Sequence, residues 1–176
     1  MKGKVFWLLI TVLGIVLVSA SCGEPEVTSP YTHYMNEKYG YSLDYPSDWL
    51  LDTSAPDFVK VHPVEFETPL YSCCVAIRPW AHTIPIDVCA TLHIKHVSQT
   101  LEDVTILASQ EQSDKWDWLV RYTCTLMGHS LYAEDYFKNA EDFQYLIGLV
   151  YESDSMPTEL RAILDSFQII ESNEKP

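Results

Sequence analysis

Hydrophobic and polar residues alternate along several stretches of this chain, and each alternation marks a strand with one face toward a core. Leu43 and Tyr45 alternate with Ser42 and Asp44 after Tyr39-Gly40-Tyr41, the arm of a hairpin. Pro46 has no N–H to give a sheet ladder, so that strand is expected to stop there. Ser47-Asp48 makes a turn, and Trp49 restarts an apolar stretch. Residues 71–80 give a further strand, with Tyr71, Cys73, Val75 and Ile77 on one face and Cys74 and Ala76 on the other. Apolar on both faces, it should be covered on both. Trp118, Val120, Tyr122, Cys124 and Leu126 alternate with Leu119, Arg121, Thr123 and Thr125. Gly128-His129 predicts a tight turn, residues 131–138 a returning strand, and residues 139–142 another turn. Phe143, Tyr145, Ile147, Leu149 and Tyr151 then form a third strand. Three strands joined by short turns make an antiparallel meander.

The period changes twice. Ile86, Ala90, Val97 and Leu101 lie on one helical face with Cys89 and His93 beside it, and Thr83 is the expected cap. Pro85 and Asp87 suit a first turn, where a missing N–H and a negative charge are both tolerated. A second helix is expected from near Ser155, with Pro157 and Glu159 in its first turn. Its Leu160, Ile163, Leu164 and Phe167 recur at i, i+3, i+4 and i+7, a stripe that must pack on something. Phe167-Gln168-Ile169-Ile170 reads as a strand. Helices separated by a block of strands give an α+β layer architecture. Trp49, Trp118 and Phe167 are expected to fill the core. Tyr31, Tyr34, Tyr39 and Tyr41 would mark a partner patch if several were exposed together.

The first residues read as an address. A short positive start with Lys2 and Lys4 precedes an apolar run over residues 5–18, then Ser19-Ala20-Ser21-Cys22. Charged, apolar, then small is the layout of an export signal, and the run is short for a membrane span, which needs roughly 20 residues. Cys22 behind small residues resembles the lipidated cysteine of bacterial lipoproteins, although Ser19 stands where such signals usually carry an aliphatic residue. Residues 1–21 are therefore expected to be a lipoprotein-type signal and residues 22–32, with Pro25 and Pro30, a flexible lipid-anchored tether. Residues 33–171 form one domain and 172–176 a polar tail. The chain is expected on the extracytoplasmic face of a bacterial membrane. A secreted form and an uncleaved N-terminal anchor are the alternatives.

Three segments carry a family resemblance. Residues 41–49, Tyr-Ser-Leu-Asp-Tyr-Pro-Ser-Asp-Trp, resemble the opening signature of PsbP-like domains. Leu164-Asp165-Ser166-Phe167 resembles that family's closing segment, and Gly128-His129 its hairpin after a long strand. The resemblance implies an α/β/α sandwich with a central antiparallel sheet. The family includes an extrinsic photosystem II subunit, a nuclear import factor that binds a small GTPase, and bacterial lipoproteins. What it shares is a fold and protein binding rather than a reaction, and fold alone does not transfer function.

Charge narrows the partners. Eleven Lys and Arg against 25 Asp and Glu give a formal net charge of −14 in 176 residues, and losing Lys2 and Lys4 makes the chain more acidic still. Such a surface repels phosphate backbones and anionic lipid heads, so no nucleic-acid partner is expected and membrane attachment rests on the lipid at Cys22.

Candidate chemistry is sparse. Cys73, Cys74, Cys89 and Cys124 read as small buried hydrophobes. A disulfide from Cys89 to Cys73, Cys74 or Cys124 is the alternative outside the cytoplasm. No Cys-x-x-Cys, Gly-x-Ser-x-Gly elbow or phosphate loop occurs. His93 and His96 are spaced to share a metal, but no third ligand accompanies them. Glu134-Asp135 and Glu141-Asp142 flank a turn where a weak hard-cation site is conceivable; a solvated turn is the plainer reading. No cofactor is expected. The favoured function is a non-enzymatic, membrane-anchored lipoprotein that binds a protein partner of unknown identity or helps assemble an envelope complex. The rival is an envelope hydrolase or metal-dependent enzyme centred on His93 and His96.

Overall fold

The computed structural model describes residues 29–170 apart from 56, 65–71 and 80. The expected signal, Cys22, most of the tether and the 172–176 tail lie outside the described residues, as do Tyr71 and Trp80. Ten strands and two α-helices follow in the order β1 (Tyr31–Asn36), β2 (Tyr41–Pro46), β3 (Trp49–Ala55), β4 (Phe58–Pro63), β5 (Ser72–Arg78), α1 (Ile86–Thr100), β6 (Glu102–Glu111), β7 (Trp118–Leu126), β8 (His129–Asn139), β9 (Gln144–Tyr151), α2 (Thr158–Ser166) and β10 (Gln168–Ile169). Among the described residues no helix is long and apolar enough to cross a membrane.

The strands form two sheets. Seven lie in the order β3-β4-β5-β9-β8-β7-β6, and three in the order β1-β2-β10. Every pairing is antiparallel. The expected meander is its β9-β8-β7 portion, in the expected register direction. One face of the large sheet carries Val120, Tyr122, Cys124, Leu131, Ala133, Phe137 and Leu146, against Ala90 and Val97 of α1. The opposite face carries Val75, Ile77, Ile147 and Leu149, packed on Leu160, Ile163 and Leu164 of α2 and on Tyr41 and Leu43 of the small sheet. Helices therefore cover both faces of an antiparallel sheet, the α/β/α sandwich expected from the sequence. The small sheet is an addition that the sequence pattern did not separate from the large one.

Helix starts differ slightly from expectation. Thr83 belongs to a single 3₁₀ turn, Ala81–Thr83, and α1 starts after Pro85 with no side-chain cap hydrogen bond. The carbonyl of Ala81 accepts from Ile84 N at 3.0 Å, so the turn separates Thr83 from the helix. Helix α2 likewise starts after Pro157 rather than near Ser155. Trp118 is only half-buried and its Nε1 donates to Ser109 Oγ at 3.0 Å, whereas Trp116, just outside β7, is buried in the core beside Trp49 and Phe167. Tyr39 and Tyr41 fill the core, and Tyr31 and Tyr34 are half-buried, so the four tyrosines form no exposed patch.

The β7–β8 turn sits one residue earlier than expected. Met127 and Gly128 occupy it with φ of 53° and 84°, while His129 already pairs with Leu126. A two-residue hairpin turn with both residues left-handed matches the twist of the strands and favours Asn-Gly. Met127 pays the steric cost of that conformation with its side chain 70% exposed. Met127→Asn is expected to raise stability by about 0.5–1 kcal/mol, because asparagine tolerates the left-handed region. Thermal and urea melts of the two proteins measure it, and a loss of stability would contradict this account of the turn.

Candidate functional site

The boundary between buried and exposed faces of α1 runs between its two histidines. Residues three apart are offset around a helix, and here that offset turns His93 toward the sheet and leaves His96 exposed to solvent. The pair therefore shares no site. His93 is 9% exposed, edge-on to the Phe137 ring at 5.4 Å between centroids. Its Nε2 lies 2.6 Å from Asp135 Oδ2 and its Nδ1 3.4 Å from Arg78 Nη2. A guanidinium has only donors, so Nδ1 accepts from Arg78 and Nε2 carries the proton donated to Asp135. The imidazole in this arrangement links Arg78 to Asp135.

The neighbours of Asp135 come from α1, β5, β7 and β9. Strand β8 turns Asp135 toward α1, and Tyr122 of β7 is hydrogen-bonded to it. Burial, and then the Asp135 charge, push the Tyr122 hydroxyl well above its ordinary pKa. Gly148 stands opposite on β9, where a Cβ would lie 2.8 Å from Asp135 Oδ1 and 2.9 Å from Cys74 Sγ. Only glycine permits that approach. Burial raises the Cys74 thiol to about 12, with the Asp135 charge adding to it. At that value it is a thiol, not a nucleophile, at neutral pH. Burial also draws the Arg78 guanidinium below its usual value, while Asp135 acts in the opposite direction.

A His–Asp pair can orient a general base. Here the second imidazole nitrogen faces Arg78 instead of a hydroxyl or thiol, and the pair is closed beneath a helix. The arrangement clamps α1 onto the sheet. Among the described residues no three His, Cys, Asp or Glu side chains are placed to hold a metal ion.

The remaining sequence candidates separate as well. Cys73, Cys74, Cys89 and Cys124 are free thiols. Cys73 packs on the α2 side, where burial raises its pKa strongly, and Cys124 packs on the α1 side. Cys89 Sγ lies 3.8 Å from the Ala81 carbonyl. Glu134 and Asp135 do not flank a turn. They lie inside β8, both buried and on opposite faces, which removes them from the conceivable cation site and leaves only Glu141 and Asp142 at the β8–β9 turn.

Glu134 has its own set of partners on the α2 side. The hydroxyls of Tyr136 and Tyr151 donate to its two oxygens, and Arg121 Nε donates to Oε1 at 3.0 Å. Burial raises its pKa, but these three donors outweigh burial and hold the carboxyl below the ordinary value of 4.5. A depressed folded-state pKa contributes stability above the unfolded value, and that contribution disappears as pH falls through the folded value. Glu134→Gln is therefore expected to be less stable at neutral pH, and to lose less than the wild type on acidification below pH 4.5. Urea midpoints at neutral and acid pH measure the difference; parallel acid limbs would contradict the assignment.

No protein-family model matches the chain, and no curated protein matches it. Solved structures do. The cyanobacterial PsbP of Synechocystis, CyanoP, superposes with a TM-score of 0.59 at 14% identity, over 82% of this chain and 95% of that one. The Ran-binding protein Mog1p of Saccharomyces cerevisiae gives 0.57 at 6% identity, over 82% of this chain and 98% of that one. A protein from Bacteroides thetaiotaomicron gives 0.57 at 9% identity, over 84% of this chain and 52% of that one. At such identities the likeness establishes the fold alone: the chain has the α+β fold of PsbP and Mog1, as the end motifs implied.

Proposed function

We propose that this protein is a lipoprotein, anchored through Cys22 on the extracytoplasmic face of a bacterial membrane, whose domain binds a protein partner or assists assembly of an envelope complex. The observation that carries the reading is the placement of His93. The leading catalytic candidate of the sequence is closed inside the helix–sheet interface, hydrogen-bonded at both nitrogens, with His96 directed elsewhere. That geometry gives the rival hydrolase or metal enzyme no open pocket at this pair. The fold shared with a Ran-binding protein supports a binding role, and the order of charged, apolar and small residues before Cys22 supports the anchor.

One acyl chain binds a bilayer only marginally, whereas two or more anchor a protein stably. Mass spectrometry of the mature N-terminal peptide from membranes should find Cys22 as the first residue and diacylglycerol on its sulfur. Cys22→Ser should leave a membrane-held precursor or a slowly released form. A mature chain beginning after Cys22 defeats the anchor. Mild cross-linking of intact cells should recover a defined partner with wild type and with His93→Gln alike. Loss of an enzymatic activity in His93→Gln, with the fold intact, would revive the rival.

A further inference from the structure

The small and large sheets part around an open hollow of about 370 Å³ lined by Lys115, Trp116, Lys138, Phe167, Gln168 and Ile169. Pockets for small molecules span roughly 300–1,000 Å³ and are mostly apolar, with a few placed polar groups. This one has that composition. Its aromatic wall is fixed: the Trp116 ring packs on Phe167 at 5.4 Å and on Tyr136 at 5.6 Å between centroids.

Both ammonium groups at the hollow are held in position. Lys115 Nζ donates to the carbonyls of Leu164 and Asp165, at 2.9 and 2.7 Å, in the last turn of α2. Lys138 Nζ donates to Asp117 Oδ1 at 2.7 Å, and Asp117 Oδ2 in turn accepts from Asn139 N at 2.7 Å. An ammonium has three N–H donors, so Lys115 retains one and Lys138 two beyond these bonds. Partial burial lowers the Lys115 pKa, the sign of a charge with less water around it. In a chain with 11 basic residues against 25 acidic ones, two cations at one apolar hollow are a concentration of scarce charge.

We propose that this hollow binds a small amphipathic monocarboxylate. Its apolar body lies against Ile169 and the exposed edge of Trp116, and its carboxylate accepts from Lys115 and Lys138. The protein's negative charge does not forbid this, since exposed charges beyond about 10 Å are largely screened at 0.1 M salt. Local charge sets the valence. Asp117 and Asp165 already balance the two lysines, so the carboxylate is held by the remaining N–H donors rather than by net charge, and a dianion such as phosphate is disfavoured more than a monoanion.

The test is a titration of the full chain with phenylacetate and with octanoate, followed by the ¹⁵N-labelled indole N–H of Trp116, which is assigned from Trp116→Phe. Phenylacetamide, octanamide and inorganic phosphate are the controls. The expected result is a saturable shift with one or both carboxylates, and binding of the matching amide weaker by about tenfold or more, as charge-assisted hydrogen bonds require. Lys138→Met should weaken the acid and leave the amide unchanged. Ile169→Trp, which fills the hollow without touching either cation, should abolish binding while the melting temperature is retained. Absence of a saturable shift at millimolar ligand, equal binding of acid and amide, or preference for phosphate would overturn the proposal.

Discussion

Replacing Phe167 with alanine is expected to destabilise the domain by about 3–5 kcal/mol, the usual cost of removing a fully buried aromatic ring. Phe167 is 1% exposed and ends α2, where its N–H donates to the Ile163 carbonyl. Its ring stacks on Tyr41 of the small sheet at 5.5 Å between centroids and meets Trp116 and Tyr145 on the large-sheet side at 5.4 and 5.8 Å. The ring fills the seam between the two sheets beneath α2, and alanine would leave a cavity touching all three. Natural domains are stable by only about 5–15 kcal/mol, so a substantial part of the total is at stake. Urea unfolding at unchanged m-value measures the loss. Phe167→Leu should lose markedly less, and a cost under about 1 kcal/mol for alanine would show that the seam closes without the ring.

Asp135→Ala should cost a similar amount, about 3–5 kcal/mol, for a different reason. Removing a buried carboxylate leaves its hydrogen-bond donors without an acceptor and takes away the negative charge that faces the part-buried Arg78. Arg78 would keep its charge under α1, and His93 Nε2–H and the Tyr122 hydroxyl would lose their acceptor. The damage should be local at first. Amide exchange in α1 and its contacts with β8 should accelerate before that of the β5–β9 pairing. Adding Arg78→Met should recover part of the loss, because the stranded cation is then gone; strict additivity of the two substitutions would remove the electrostatic explanation.

The legible parts of the fold were those with contrast between faces. In β7 and β9 one face meets α1 and the other the α2 side, so their residues alternate or run apolar in register with the structure. Strand β6 has almost no such contrast. It is the outer strand of the large sheet, mostly exposed, and two register shifts interrupt its pairing, so no strand was expected over Glu102–Glu111. Strand β3 conceals itself likewise behind exposed Asp52-Thr53-Ser54 at the opposite edge. The site was legible by half. His93 stood out by residue type, but Asp135 looked like one more surface carboxylate. Its partners, His93 on α1 and Arg78 beyond it on β5, lie 42 residues or more away in sequence, and no local pattern reports such a neighbour. Lys115 and Trp116 were hidden for the same reason, since they lie in a turn that gains meaning only when α2 and β10 pack over it.

The small sheet also governs when the molecule can become native. Strands β1 and β2 come early in the chain, yet the third member of their sheet is β10, and Asp44 N bonds Ser166 Oγ across 122 residues. Contacts of such sequence separation are closed late and slow folding. A nascent chain that has not yet supplied residues 160–169 lacks the α2 and β10 residues that pack on Tyr41 and Leu43, so synthesis from the N-terminus cannot lock the domain stepwise. The small sheet can close only when almost the whole domain has been made.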